Sequence, residues 1–232
     1  MPDARPCDQH LDLFNFKPLP NFAEALKHKR KVKVVAVGSS STAGADGVLP
    51  YPPRLETFLR QGFYGRMIDV LNRGIGGQEA PEELSRFESD VIAEDPALVI
   101  WQVGTNAVYR SQDYNPDEVK AAITVGLDLL AGRPIDVVLM DSQYTRAVVQ
   151  PPGKLDLSNK ITSMISDVAR DKGVNLFRRF ALMQRWVDDK IPIEELDDGA
   201  DTQLHTSDWA TNCITQALTS SIELAVKAEG VT

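Results

Sequence analysis

Apolar residues along the chain fall into two alternating kinds of run. Short apolar stretches read as strands: "KVVAVG" at 33–38, continuous and β-branched as in a strand buried on both faces, the similarly buried "LVIWQVG" at 98–104, and "MIDVLNRG" at 67–74, "IDVVLMDSQ" at 135–143 and "VNLFRR" at 174–179. Between them lie longer segments with helical spacing, at 52–63, 80–95, 116–132, 155–173 and 207–228. Prolines open several of these, where helices tolerate them. The 116–132 segment has Asn115 as an N-cap, two acids in its first turn and Gly132 at its end. Regular β-α alternation predicts an α/β fold, a three-layer α/β/α sandwich around a five-stranded parallel sheet with right-handed crossovers. Residues 1–30 read as an irregular arm with one short helix, packed on a single domain of residues 31–232. The basic "KHKRKVK" reads as a solvated lead-in to the first strand.

With 232 residues, one such domain can bury a substantial core. The net charge of −8 removes nucleic acid and anionic membrane surfaces from the expected partners. No apolar run approaches the ~20 residues of a membrane-spanning helix, so no membrane insertion is expected. The N-terminal stretch lacks a signal-peptide pattern. Cys7 and Cys213 match neither a zinc site nor a redox pair. Two unrelated thiols is the preferred expectation. A disulfide tying arm to last helix is the alternative, and it would put the protein in the periplasm or outside the cell rather than in the cytoplasm.

In open parallel sheets function gathers beyond the carboxyl ends of the strands. There the first loop reads "GSSSTAG", a glycine turn with three serines. By itself it fits a nucleophile, an N-cap or an anion-binding turn, though not a P-loop, since the lysine is missing. The second loop, "NRGIGGQEA", has three glycines at 74–77 that permit close backbone approach. The third, "VGTNAV", offers a carboxamide. Of the three histidines, His10 and His28 read as solvated, whereas His205 precedes the closing helix and is placed to meet the first loop.

Together these blocks resemble those of the SGNH hydrolases, the GDSL esterase/lipase superfamily, in a bacterial branch. Gly-Asp-Ser-x-Thr is matched by "GSSST", which makes Ser40 the nucleophile position and puts Ser39 where aspartate is usual. The block-two glycine is matched by Gly77, Gly-x-Asn-Asp by "GTNA" with Asn106, and Asp-x-x-His by the segment ending at His205. The resemblance implies a serine esterase. His205 would deprotonate Ser40, and the Ser40 and Gly77 N–H groups with the Asn106 amide would form the oxyanion hole. It implies no metal and no cofactor. Two departures are plain: Ala107 follows Asn106 instead of aspartate, and Thr202 stands three residues before His205. Asp201, brought in by a one-residue bulge, is the expected triad acid. Asp198 is a remoter substitute, and Thr202 or a backbone carbonyl would leave a weaker dyad. Lacking a long lid, the chain is expected to take a small acyl ester or acetylated sugar, with Gln143 and Tyr144 as pocket-lining candidates. Two rival readings are a catalytically weakened SGNH-fold protein that binds an acylated carbohydrate and a flavodoxin-like nucleotide binder. The latter leaves Asn106 and His205 idle.

Overall fold

The computed structural model describes residues 5–45 and 47–231. Five parallel strands form one sheet, β1 (Lys31–Gly38), β2 (Met67–Gly74), β3 (Leu98–Gln102), β4 (Asp136–Met140) and β5 (Asn175–Phe177), in the order β2-β1-β3-β4-β5. The chain therefore winds first one way and then the other from β1, and the carboxyl ends of β1 and β3 lie side by side. That is the crevice in which such sheets bind ligands.

Because successive strand residues point to opposite faces, the five buried runs feed two cores. Val34, Ala36, Leu98, Ile100, Val138 and Met140 pack on one side. Their partners there come from α1 (Pro20–His28), α3 (Tyr51–Gly62), α10 (Arg179–Asp188) and α11 (Asp208–Lys227). Val35, Val37, Val99, Trp101, Val137 and Leu139 face the other side. That side is covered by α4 (Ala80–Ser85), α5 (Phe87–Asp90), α7 (Pro116–Leu130) and α9 (Lys154–Lys172). Each large aliphatic side chain buried this way contributes ~1.5–3 kcal/mol. Short helices α2 (Ser40–Ala43), α6 (Thr105–Tyr109) and α8 (Arg146–Val149) follow β1, β3 and β4 on the site side of the sheet.

Three features differ from the sequence reading. The 80–95 segment is broken at Arg86, whose guanidinium turns inward to the Arg73 and Gly38 carbonyls and the side chains of Gln78 and Asp90. Helix α10 has no counterpart in the reading, because its core-facing Leu182, Met183 and Trp186 are too few, with Gln184 and Arg185 between them, to show a clear period. Cys7 and Cys213 are joined in a disulfide across 206 residues, which corrects the expectation of unrelated thiols. A loop that long removes ~5 kcal/mol of unfolded-state entropy on the chain-closure estimate.

The bond fastens an arm that already belongs to the core. Phe14 stacks on Phe177 at 4.5 Å, and Asp8 accepts the Trp186 indole N–H at its carbonyl. The Asp136 carboxylate holds the first turn of α1 through the Phe22 N–H and the Asn21 amide. His10, expected to be solvated, lies mostly buried with Nε2 3.0 Å from Asp189. His28 is exposed beside Glu24. Among the described residues no helix is long and apolar enough to cross a membrane.

Candidate active site

β1 ends at Gly38, and Ser39 is the N-cap of α2, so Ser40 is the first helical residue. Helix geometry leaves the Ser40 N–H without an intrahelical acceptor. The turn is fixed from below by Gln102 at the end of β3. Its Oε1 accepts from the Ser39 N–H (3.1 Å), the Ser39 hydroxyl (2.9 Å) and the Thr42 hydroxyl (3.3 Å). Ser39 thus faces inward and is buried, while Ser40 is half-buried at the surface of the site. Gly74 allows α2 to sit against β2. A Cβ there would come within 2.1 Å of the Ala43 backbone nitrogen.

His205 Nε2 lies 2.9 Å from Ser40 Oγ. The ring is delivered by a hairpin whose two sides are in register: the Asp198 N–H donates to the His205 carbonyl, Asp197 bridges Thr206, and the Ser207 N–H donates to the Leu196 carbonyl. Pairing across this hairpin brings the Asp198 carboxylate to 3.8 Å from His205 Nδ1, with its side chain almost fully buried. Asp201 lies at the exposed tip of the same hairpin. The carboxylate beside the ring is therefore that of Asp198, in place of the expected Asp201. The physical reason is the fold of the segment: a hairpin pairs residues seven apart, whereas a bulge would have favoured residues three or four apart. Asp197 next door is fully buried and gripped at both oxygens by Arg146, at 2.7 Å each.

Opposite Ser40 lies the glycine loop, where Gly76 comes closest to it; a Cβ on Gly76 would sit 3.9 Å from Ser40 Cβ. Gly77 turns with φ of +80°, and its carbonyl is held away from the site by the Tyr114 hydroxyl at 2.9 Å and by Arg110 at 3.2 Å. Asn106, nearly buried on α6, donates from Nδ2 to the Gln78 carbonyl at 2.7 Å, joining the third loop to the second. Its second amide hydrogen is the one that remains for a ligand.

Glu79 completes that junction. Its buried carboxylate accepts from the N–H groups of Ala80 (3.1 Å), Gly104 (2.8 Å) and Ala107 (2.9 Å). Burial pushes this carboxyl up and the backbone donors pull it back. The loop that lacks aspartate after Asn106 is thus braced at Ala107 by an acid from another loop. One turn on, Glu83 takes the Trp101 indole N–H at 2.7 Å; burial, and then Glu79, hold its pKa well above the usual carboxylate range.

Gln143 is fully buried and does not line an open pocket, whereas Tyr144 is half-buried and packs edge-on against Phe180. The pocket beside Ser40 and His205 is a small depression of about 20 Å³ walled by Gly44, Ala45, Val48 and Pro50. Arg86, Gln102 and Glu79 were not among the expected site residues, and Asp198 was expected only as a remoter substitute for Asp201. Only Asp198 carried a usable signal, the Asp-Gly turn dipeptide at 198–199. No metal-ligating cluster occurs among the described residues.

This arrangement can pass a proton from a hydroxyl to an imidazole. Comparison with known proteins agrees with it in fold. The acetylxylan esterase Axe2 of Geobacillus stearothermophilus superposes with a TM-score of 0.70 at 20% identity, over 82% of this chain and 94% of that one. Catalytic mutants of Axe2 at a serine, a histidine and an aspartate superpose equally well. LAE5, an α/β hydrolase enzyme from the metagenome of Lake Arreo, Spain, matches with a TM-score of 0.70 at 19% identity over the same shares. In sequence, the uncharacterised lipoprotein YqeF of Bacillus subtilis is 24% identical over 161 residues, 60% of this chain. The chain spans 65% of YqeF's length. The model of the non-GDSL lipase-like family matches residues 6–228. With a strand-end "GSSST" in place of the aspartate-bearing block, and with the match running over nearly its whole length, the chain belongs to the non-GDSL lipase-like family of SGNH-like hydrolases.

Proposed function

We propose that the protein is a serine esterase that removes short acyl groups, acetyl above all, from an ester such as an acetylated sugar. The observation that carries this reading is the 2.9 Å contact between Ser40 Oγ and His205 Nε2, with the Asp198 carboxylate at the ring's other nitrogen. A serine hydroxyl is a weak nucleophile until a neutral imidazole takes its proton. As the Ser40 Oγ–acyl carbon bond forms, that proton moves to His205 Nε2 and the carbonyl oxygen becomes an oxyanion. The Ser40 and Gly77 N–H groups and the Asn106 amide receive this charge, which exists only during reaction. Asp198 keeps Nδ1 protonated and stabilises the imidazolium. His205 then gives its proton to the leaving alcohol oxygen as the ester bond breaks. Water, deprotonated by His205, adds to the acyl carbon, and collapse releases the acid and reprotonates Ser40. No step calls for a metal or cofactor.

Acyl size follows from the cavity. Its volume of about 20 Å³ lies far below the ~300–1,000 Å³ common for small-molecule sites, which favours a small acyl group, and short side chains wall it. Axe2, an acetylxylan esterase of the same fold, supports the sugar-ester class. The weakened, binding-only reading arose from Thr202, and Asp198 supplies the carboxylate that Thr202 lacks. The Cys7–Cys213 disulfide favours an oxidising compartment, periplasmic or extracellular.

The test is hydrolysis of p-nitrophenyl acetate, butyrate and octanoate, and of acetylated xylooligosaccharides, by wild type and Ser40→Ala. The expected result is turnover that falls with acyl length and vanishes in the variant. Equal rates for the two proteins on every ester would overturn the proposal.

A further inference from the structure

Gln143 is fully buried in the loop after β4, yet its carboxamide spans the two halves of the site. Oε1 accepts from the hydroxyl of Ser41, the residue after the nucleophile position, at 2.9 Å, and from Thr105, the residue before Asn106, at 3.4 Å. Nε2 donates to the carbonyl of Leu204, the residue before His205, at 2.7 Å. The orientation of the amide is dictated by chemistry, since a backbone carbonyl can only accept. One side chain therefore meets the nucleophile turn, the oxyanion loop and the histidine hairpin, each one residue from the group the reaction uses.

The hairpin depends on this neighbourhood. Thr145 Oγ1 also donates to the Leu204 carbonyl at 2.9 Å, the Ala147 N–H donates to the Gln203 carbonyl, and Arg146 clamps Asp197. All of these bonds hold the hairpin to the post-β4 loop. Of them, only that of Gln143 continues through Ser41 to α2.

We propose that Gln143 is a positioning residue that sets the Ser40–His205 distance by cross-linking the nucleophile turn to the histidine hairpin. This rests on the esterase reading above. Gln143 is sealed from the crevice, so it acts through Ser41 and Leu204 and does not touch substrate. A misplacement of ~1 Å in a reacting group can cost ~10²-fold in rate. Gln143→Met, of similar length without polar atoms, is expected to lower kcat about 10–100-fold and leave KM within about twofold.

Gln143→Glu supplies a sharper readout. A carboxylate cannot donate to Leu204, while a protonated carboxyl can. The variant-to-wild-type kcat ratio should therefore rise as pH falls. Ser41→Ala should reproduce part of the kcat loss without that pH dependence.

The experiment measures kcat, KM and pH profiles on p-nitrophenyl acetate for wild type and these variants, with thermal melts to establish folding. If Gln143→Met does not fold, Gln143→Glu and Ser41→Ala decide. A folded Gln143→Met with wild-type kcat, or a flat ratio for Gln143→Glu with undiminished Ser41→Ala, overturns the positioning role. If wild type itself has no esterase activity, that reading alone falls. The His205 ring resonances then decide on Gln143. Their displacement in Gln143→Glu supports positioning, and unchanged resonances overturn it.

Discussion

The nucleophile turn and the histidine hairpin face each other across 2.9 Å, yet they are held in opposite ways. Ser40 grows directly out of β1. Its backbone is set by strand pairing with β2 and β3, by Gln102 beneath it and by Arg86 gripping the Gly38 carbonyl. His205 stands on a hairpin of residues 196–207 that belongs to no sheet, and long-range side-chain contacts from Gln143, Thr145 and Arg146 hold it. One partner is positioned by secondary structure and the other by cross-links. The difference teaches that the serine should tolerate changes around it better than the histidine does, because a paired strand absorbs a lost side-chain bond and an isolated hairpin has few others to share the load.

The sharpest way to break this comparison is at the acid. Asp198→Ala should cost up to ~10⁴-fold in kcat, the scale of losing a triad carboxylate. Asp201→Ala, at the exposed hairpin tip, should stay within about twofold, the behaviour of an ordinary surface change. Steady-state kinetics on p-nitrophenyl acetate check both, and the reverse ranking would sink the hairpin account.

Next in size is the oxyanion side. Asn106→Ala removes one donor and should lower kcat by ~10²–10³-fold with little change in KM. Stopped-flow kinetics would expose a different role if KM, rather than kcat, took the loss.

The smallest effect concerns stability. Burial holds the Glu83 carboxyl well above its ordinary range, so the folded state binds this proton more tightly than the unfolded chain does. Its contribution is therefore most favourable below the unfolded pKa of ~4.3 and declines as pH rises toward the folded value. Glu83→Gln keeps an acceptor for the Trp101 indole and removes the charge. Its Tm should exceed that of wild type by ~2–4 °C at neutral pH, and the gap should close toward pH 4. Calorimetry across that pH range measures it, and a constant gap would refute the titration.

What could be read in the sequence follows the same division. The apolar runs specify the sheet because a central strand covered on both faces, such as β1, β3 or β4, must be largely apolar, and "GSSST", "GIGG" and "GTNA" sit at strand ends because the topology puts loops there. Ser40, Asn106 and His205 were therefore within reach of a motif reading. Asp198 was within reach only as a substitute for Asp201, since its place depends on an antiparallel hairpin of three pairs closing over six residues, too short to leave an alternating pattern. The bracing roles of Gln143, Glu79 and Gln102 were hidden altogether. A buried carboxamide or carboxylate that braces another loop's backbone has no periodicity and no fixed spacing from the groups it serves. The disulfide could be named only as an alternative, because nothing in the spacing of cysteines 206 residues apart brings them together.

The central claim is that Ser40, and neither of the serines beside it, forms a bond to the acyl group with help from His205. The most direct measurement is mass spectrometry of the peptide carrying residues 39–41 after reaction with a fluorophosphonate ester, which forms a stable adduct on an activated serine. The account predicts a single adduct on Ser40 in wild type and none in His205→Ala. An adduct on Ser39 or Ser41, or equal labelling without the histidine, would contradict it.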